Sequence, residues 1–217
     1  ISAHVSYYDH FDGDLKYANN SHGSFFTTVV DSNGDVGMFT SIALNQDGVV
    51  YIAYYDRTNT NPKWAYQTGS GWFVQTLFAD PDSDVGRFVS LAADDLGQMF
   101  IVFQDVAEQQ LRFMHYSGGS WIDMGYMDAV YAGHASVAMG PEGQVHVSYF
   151  DLSWQDLKYA TNDIWIKDSL YGLGNVQGGN GLSVDGFGNL HAVYIEMGSA
   201  DLNNAIKRIG QELSEDQ

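Results

Sequence analysis

The chain has no cysteine in its 217 residues, so neither a disulfide framework nor thiolate chemistry is available to it. Basic residues are scarce: 9 Lys and Arg stand against 27 Asp and Glu, for a net charge of −18. A polyanion or an anionic membrane surface would be repelled by such a balance, which excludes nucleic acid as an expected partner and favours cations or neutral ligands. No apolar run approaches the ~18 residues that a membrane-spanning helix needs, so membrane insertion is not expected. The apolar fraction of 45% and aromatic fraction of 14% are those of a folded domain, and the length allows a well-buried core.

What is present is one segment written five times. His4-Val5-Ser6-Tyr7-Tyr8-Asp9 returns as Tyr51-Ile52-Ala53-Tyr54-Tyr55-Asp56 and as Phe100-Ile101-Val102-Phe103-Gln104-Asp105. It returns again as His146-Val147-Ser148-Tyr149-Phe150-Asp151 and, more loosely, as His191-Ala192-Val193-Tyr194-Ile195-Glu196. The closing acids stand 47, 49, 46 and 45 residues apart. A period in this range, made of strand-like segments, predicts a β-propeller.

Each unit reads as four short strands. The first is small and apolar (Ser41-Ile42-Ala43-Leu44, Ser90-Leu91-Ala92-Ala93, Ser136-Val137-Ala138-Met139, Gly181-Leu182-Ser183-Val184). A Gly-containing tight turn leads to the aromatic second strand, since Gly accepts the positive φ of such turns. The third strand is Leu15-Lys16-Tyr17-Ala18 and its relatives, and the fourth is headed by Phe25, Trp72, Trp121 or Trp165. The expectation is an all-β, five-bladed propeller of four-stranded antiparallel blades near residues 1–36, 37–85, 86–132, 133–178 and 179–217. The first blade starts at its second strand and lacks the innermost one. The C-terminal tail, Gly210 to Gln217, shows no clear strand pattern, so the empty place calls for the tail, a neighbouring copy or another portion of a parent chain. The chain reads as a piece of a longer or processed protein.

The Tyr-Tyr-Asp and Leu-Lys-Tyr-Ala strands and the Gly-rich turns ending in Trp72 and Trp121 resemble the sialidase-like, or Asp-box, group of propellers. That family's Ser-x-Asp-x-Gly-x-Thr-Trp box is degenerate here, keeping the Trp of Thr68-Gly69-Ser70-Gly71-Trp72 and of Ser117-Gly118-Gly119-Ser120-Trp121. The resemblance implies the fold; such propellers include glycosidases, lectins and scaffolds. A sialidase would need an arginine cluster, and this chain has four Arg in all, of which Arg57 and Arg87 can reach the loop face. A furanosidase-like enzyme would place carboxylates beside the innermost strands, which here carry none before the hairpin turn.

More than half of the acids fall in loops expected on one face. Two of these loops, Asp31-Ser32-Asn33-Gly34-Asp35 and Asp80-Pro81-Asp82-Ser83-Asp84, alternate oxygen donors as calcium loops do. Ca²⁺ held by Asp31, Asn33, Asp35, Asp80, Asp82 and Asp84 is one expectation; two solvated Asx-turn loops are the other. The repeated Asp (Asp9, Asp56, Asp105, Asp151) is expected to pair across strands with Lys16, Lys63, Arg112 and Lys158, as architecture. Trp154 breaks the repeat in a loop where other units carry polar residues, and with Tyr131 and Phe11 it forms a candidate sugar-stacking platform. The reading is a non-catalytic, secreted or cell-surface module for binding a glycan or a protein or for self-assembly through the incomplete blade. The alternative is a glycoside hydrolase of the sialidase-like or five-bladed furanosidase type.

Overall fold

The computed structural model describes residues 2–94, 97–127, 131–161, 166–171, 176–196, 202–207 and 214–215. The loop at 162–165, with Trp165, and most of the tail lie outside the described residues, as do Asp128, Asp201 and Arg208. Among the described residues there is no helix, and the strands form five antiparallel sheets. The first sheet has three strands, β1 (His4–Asp9), β2 (Asp14–Asn19) and β3 (Phe26–Asp31). The second has four: β4 (Val36–Leu44), β5 (Val50–Asp56), β6 (Asn61–Thr68) and β7 (Gly71–Thr76). The third holds β8 (Val85–Ala93), β9 (Met99–Asp105), β10 (Gln110–Ser117) and β11 (Ser120–Tyr126). The fourth holds β12 (Ala132–Met139), β13 (Val145–Asp151), β14 (Asp156–Thr161) and β15 (Ile166–Tyr171). The fifth holds β16 (Val176–Val184), β17 (Leu190–Glu196), β18 (Leu202–Lys207) and β19 (Ser214–Glu215).

Every sheet is an up-and-down meander, and the apolar layers lie between consecutive sheets. Leu15, Tyr17 and Val30 of the first meet Val36, Ile52 and Tyr54 of the second. Trp64 of the second meets Leu91, Ile101 and Met114 of the third. The same happens between the third and fourth sheets and between the fourth and fifth. A strand buried on both faces explains why the second strands read as near-continuous apolar runs rather than as alternating ones. Each such buried side chain contributes about 1.5–3 kcal/mol.

The inner strands begin earlier than their Ser-Ile-Ala-Leu cores suggest, because a bulged stretch precedes each core. Register slips between Val36 and Ser41, Val85 and Ser90, and Gly133 and Ser136. The bulge needs positive φ, at Gly37 and Gly86 and then at Phe39, Phe88 and His134. A Cβ on Gly86 would stand 2.5 Å from the backbone nitrogen of Pro62, so glycine there is dictated by the approach of the preceding sheet.

A second device joins neighbours along the axis. The Ser41 hydroxyl accepts the Leu91 N–H, Ser90 accepts Val137 N–H, and Ser136 accepts Leu182 N–H, each at 3.0 Å. Each serine occupies the same place in its inner strand, and each donor is the residue after the equivalent position one sheet on. β4 packs on β8, β8 on β12 and β12 on β16, while β1 packs on β4. The tail differs from expectation: Ser214 and Glu215 pair with Ile206 and Ala205 as the outer strand of the fifth sheet, so these two residues are not the inner strand of the first. Strand pairing with β18 overrides their polar composition, since an outer edge strand needs backbone hydrogen bonds more than apolar side chains.

Candidate functional site

The loops joining second to third strands in the first four sheets are built alike. In each, the repeated Asp turns its Oδ1 back to accept loop N–H groups: Phe11 at Asp9, Asn59 at Asp56, Glu108 at Asp105, Ser153 at Asp151. The loop then closes through a left-handed residue, Gly13, Thr60, Gln109 or Gln155. Its carbonyl receives the first N–H of the next inner strand, from Val36, Val85, Ala132 or Val176. The repeated Asp is thus a turn anchor, and the loop face is a rigid frame.

The expected basic partners follow, with one correction. Lys16 reaches Asp9 at 2.5 Å and Lys158 reaches Asp151 at 2.6 Å. Lys63 lies 3.8 Å from Asp56 and closer, at 2.5 Å, to Asp31 of the preceding sheet. Arg112 does not take Asp105. Its planar fork engages both oxygens of Asp123 on β11, and its guanidinium lies 3.9 Å from the Phe78 ring centre. Asp105 instead accepts from Ser83 and Tyr126.

The two Asp-rich loops fill differently. Asp31 is buried and accepts from Lys63, from the Tyr54 hydroxyl at 2.6 Å and from the Asn33 N–H. Burial alone would push its carboxyl up, but these three donors together hold it below the usual carboxylate range. Asp35 accepts from Tyr8 and Arg57, and Asp84 from Tyr55 and Arg87, so both candidate arginines are committed to loop carboxylates. Asp80 receives the Asp82 N–H in an Asx turn. Among the described residues no three Asp, Glu or His side chains converge as a metal site would require.

Trp154 is 70% exposed and Phe11 97%, on loops of the fourth and first sheets, which are not neighbours. Tyr131 adjoins the Trp154 loop, its carbonyl accepting the Leu152 N–H at 2.7 Å. A cleft of about 690 Å³ lies at the opposite end, between the inner hairpin turns of the third, fourth and fifth sheets. Two of its carboxylates cap their own turns: Asp94 accepts the Gln98 N–H, and Asp185 accepts the Phe187 and Asn189 N–H groups.

A smaller cleft of about 340 Å³ between the second and third sheets has more to offer a ligand. Its walls are Trp64, Tyr66, Phe73, Tyr116 and Trp121, with Gln75 and Ser120 as the polar groups at its rim. Trp64 sits 5.1 Å from Tyr66, 5.3 Å from Tyr116 and 5.3 Å from Trp121, centre to centre. The Trp64 indole N–H donates to Gln75 at 3.3 Å, whereas the buried Trp121 indole nitrogen has no partner among the described residues. No carboxylate lines this cleft. The third-strand residues Trp64 and Tyr66 and the fourth-strand Trp121 were legible in sequence only as packing columns. The signal that sets this junction apart is that Tyr66 stands where other units carry Asn19, His115 or Thr161, and Tyr116 where they carry Asn20, Gln67 or Asn162.

Comparison with known proteins bears on the fold. No family model and no curated protein matches the chain. The fold is that of sialidase-type and lectin β-propellers. AofleA from Arthrobotrys oligospora superimposes with a TM-score of 0.71 at 14% identity, over 99% of this chain and 68% of that one. A Hadza microbial sialidase, Hz136, gives 0.65 at 10% identity, over 94% of this chain and 52% of its own. An Aleuria aurantia lectin, a mutant in complex with Fucα1-6GlcNAc, gives 0.63 at 12% identity, over 100% and 78%. The chain therefore spans half to three quarters of the length of these structures.

Proposed function

We propose that the protein is a non-catalytic carbohydrate-binding module of five propeller blades, acting in a secreted or cell-surface setting, and that the aromatic cleft between the second and third blades holds the sugar. The observation that carries this reading is the cleft itself: five aromatic walls and two neutral polar groups, Gln75 and Ser120. Aromatic faces receive the C–H face of a pyranose, while polar groups at the rim fix its hydroxyls. The absence of any charged side chain from the lining, in a chain of net charge −18, favours a neutral sugar over a sialoside. Hydrolysis is the second reading, supported by the sialidase among the fold neighbours. It would need two carboxylates about 5–9.5 Å apart across the scissile bond, and the cleft supplies none.

Binding of neutral monosaccharides, followed by tryptophan fluorescence and calorimetry, tests the proposal. Phe73 is 43% exposed, so its replacement by Ala leaves the core intact. Phe73→Ala is expected to weaken binding by about tenfold, the scale of one lost aromatic contact of ~1.4 kcal/mol. Trp154→Ala is expected to leave affinity unchanged. Affinity lost in Trp154→Ala but kept in Phe73→Ala would move the site to the loop face, and sugar turnover abolished by a loop-acid substitution would favour the hydrolase.

A further inference from the structure

The inner hairpin turn of the fifth sheet breaks its series. The residue before the turn glycine is Asp47, Leu96 and Glu142 in the second, third and fourth sheets, and Phe187 in the fifth. Asp185 fixes that turn by accepting the Phe187 and Asn189 N–H groups, each at 2.9 Å, while the Phe187 ring stays exposed. A cleft of about 590 Å³ lies between this turn and the inner turn of the fourth sheet, which carries Glu142. We propose that this cleft seats an arginine side chain of a partner protein, its guanidinium stacked on Phe187 and forked by the Glu142 carboxylate.

The molecule already holds two of its own guanidinium groups in this way. Arg112 engages both oxygens of Asp123 and lies 3.9 Å from the Phe78 ring centre. Arg87 meets Asp84 at 2.5 Å and lies 6.0 Å from the Tyr55 ring centre. In both, a carboxylate supplies charge and acceptors while a ring takes the face of the planar cation. Glu142 and Phe187 are a third such couple, on adjacent sheets, and no Lys or Arg lines their cleft. The rest of the lining suits a group rich in N–H donors. The Gln144 amide steadies Glu142, donating to its Oε2 at 3.0 Å. His146 is held by the Tyr159 hydroxyl, 2.6 Å from its Nδ1. A Cβ on Gly140 would stand 2.8 Å from both Gln144 Oε1 and His146 Nε2, so the bare backbone there is what lets the two side chains reach this place. Gln144 and Thr161 add neutral acceptors to the walls for the N–H groups that one carboxylate leaves over.

Charge names the occupant. A chain of net charge −18 attracts a basic partner and repels an acidic one, a second copy of itself included. Between the two basic side chains, a guanidinium is favoured over an ammonium. It is the more weakly hydrated, and it can lie flat on a ring while its edge still donates to a carboxylate. The cleft shares no residue with the aromatic one between the second and third sheets, so it stands or fails independently of the sugar reading.

The test is an NMR titration of the full chain at pH 8 with acetyl-Gly-Arg-Gly-amide, read at the backbone amides. Saturable shifts centred on Glu142 and Phe187 are expected. The same peptide with citrulline, a neutral isostere of arginine, should give none, and the lysine peptide should bind several-fold more weakly. Glu142 and Phe187 are exposed turn residues, so both can be replaced without touching the core. Glu142→Gln should weaken binding about tenfold, as expected for a charge-assisted pair, and Phe187→Leu about threefold. Free L-arginine, whose own carboxylate the acidic chain repels, should bind less well than the peptide. The proposal is overturned by the absence of saturable shifts, by shifts centred on Asp80 and Asp82 instead, or by affinity unchanged in both variants. Equal binding of the lysine or citrulline peptide removes the guanidinium as the recognised group. Tighter binding of L-arginine than of the peptide removes the protein partner and makes a free amino acid the occupant.

Discussion

Two strands of this molecule are almost the same peptide in different surroundings. β1 reads His4-Val5-Ser6-Tyr7-Tyr8-Asp9 and β13 reads His146-Val147-Ser148-Tyr149-Phe150-Asp151, a difference of one side chain. Both pair residue for residue with their third strands, and both direct the His Nδ1 to a Tyr hydroxyl, at 2.5 Å on Tyr17 and 2.6 Å on Tyr159. Yet β13 is buried from Val147 to Asp151, while no residue of β1 is. Local sequence therefore sets the hairpin, its register and its polar clasp. Burial, and with it most of the stability, is set by the inner strand and by the preceding sheet, which β13 has and which, among the described residues, β1 does not.

The strongest way to sharpen the contrast is to cut the same ring from both strands. Tyr149 is fully buried in the layer between the third and fourth sheets. Tyr149→Ala should cost about 3–5 kcal/mol, the range for a large aromatic removed from a core. Tyr7→Ala, in a strand that is nowhere fully buried, should cost under about 1 kcal/mol. Urea unfolding of the two variants reads the difference directly. Equal losses would mean that β1 is covered in solution and that the contrast between the strands does not exist there.

A polar version of the same contrast comes next. Lys63 lies buried between Asp31 and Asp56, whereas Lys16, in the first sheet, bridges Asp9 and Asp12 nearer the surface. Lys63→Met should cost about 3–5 kcal/mol at pH 7, because it leaves a carboxylate buried without its cation. Lys16→Met should cost much less. The pH dependence identifies the cause. Asp31 is held below its unfolded value of about 3.9, so its contribution is present above that pH and is lost as pH falls through the folded value. Without Lys63, burial dominates and raises the same carboxyl, so the penalty of Lys63→Met should shrink between pH 7 and pH 3. A penalty independent of pH would assign the loss to packing of the lysine stem instead.

These comparisons show what a single sequence reveals here. The period of the closing acids and the Gly-marked turns made the meander legible, since both follow from local backbone demands. The cross-strand Lys–Asp pairing was legible because antiparallel strands joined by a short loop must place Lys16 beside Asp9. The reach of Lys63 to Asp31 and the choice of Asp123 by Arg112 were not, because they depend on which sheet lies next door and on the fourth strand's bulged register. The aromatic cleft was hidden for the same reason: Trp64 and Tyr116 are some 50 residues apart and meet only when the second and third sheets pack. Trp154 stood out because it breaks the repeat, while Tyr66 and Phe73 look like ordinary alternating strand residues.

The smallest expected effect separates the two Asp-rich loops. In the loop from Asp31 to Asp35 both end carboxylates already have partners, in Lys63 and Tyr54 and in Tyr8 and Arg57. In the loop from Asp80 to Asp84 only Asp84 holds a cation, Arg87, and among the described residues Asp80 and Asp82 make no ion pair. Calcium held by these loops, one of the two expectations for their alternating oxygens, must therefore draw its carboxylate ligands chiefly from Asp80 and Asp82. A site with so few charged oxygens belongs to the weak end of protein calcium sites, with Kd of about 1 mM. Mass action then limits the stabilisation at 10 mM Ca²⁺ to about 1.4 kcal/mol, a rise of a few degrees in Tm for a chain of this size. Replacing Asp80 and Asp82 together by Asn should remove the rise, and replacing Asn33 by Ala should not. A melting curve that is the same in chelator and in 10 mM Ca²⁺ would leave both loops as Asx turns, closed by their own backbone and by the arginines and lysine beside them.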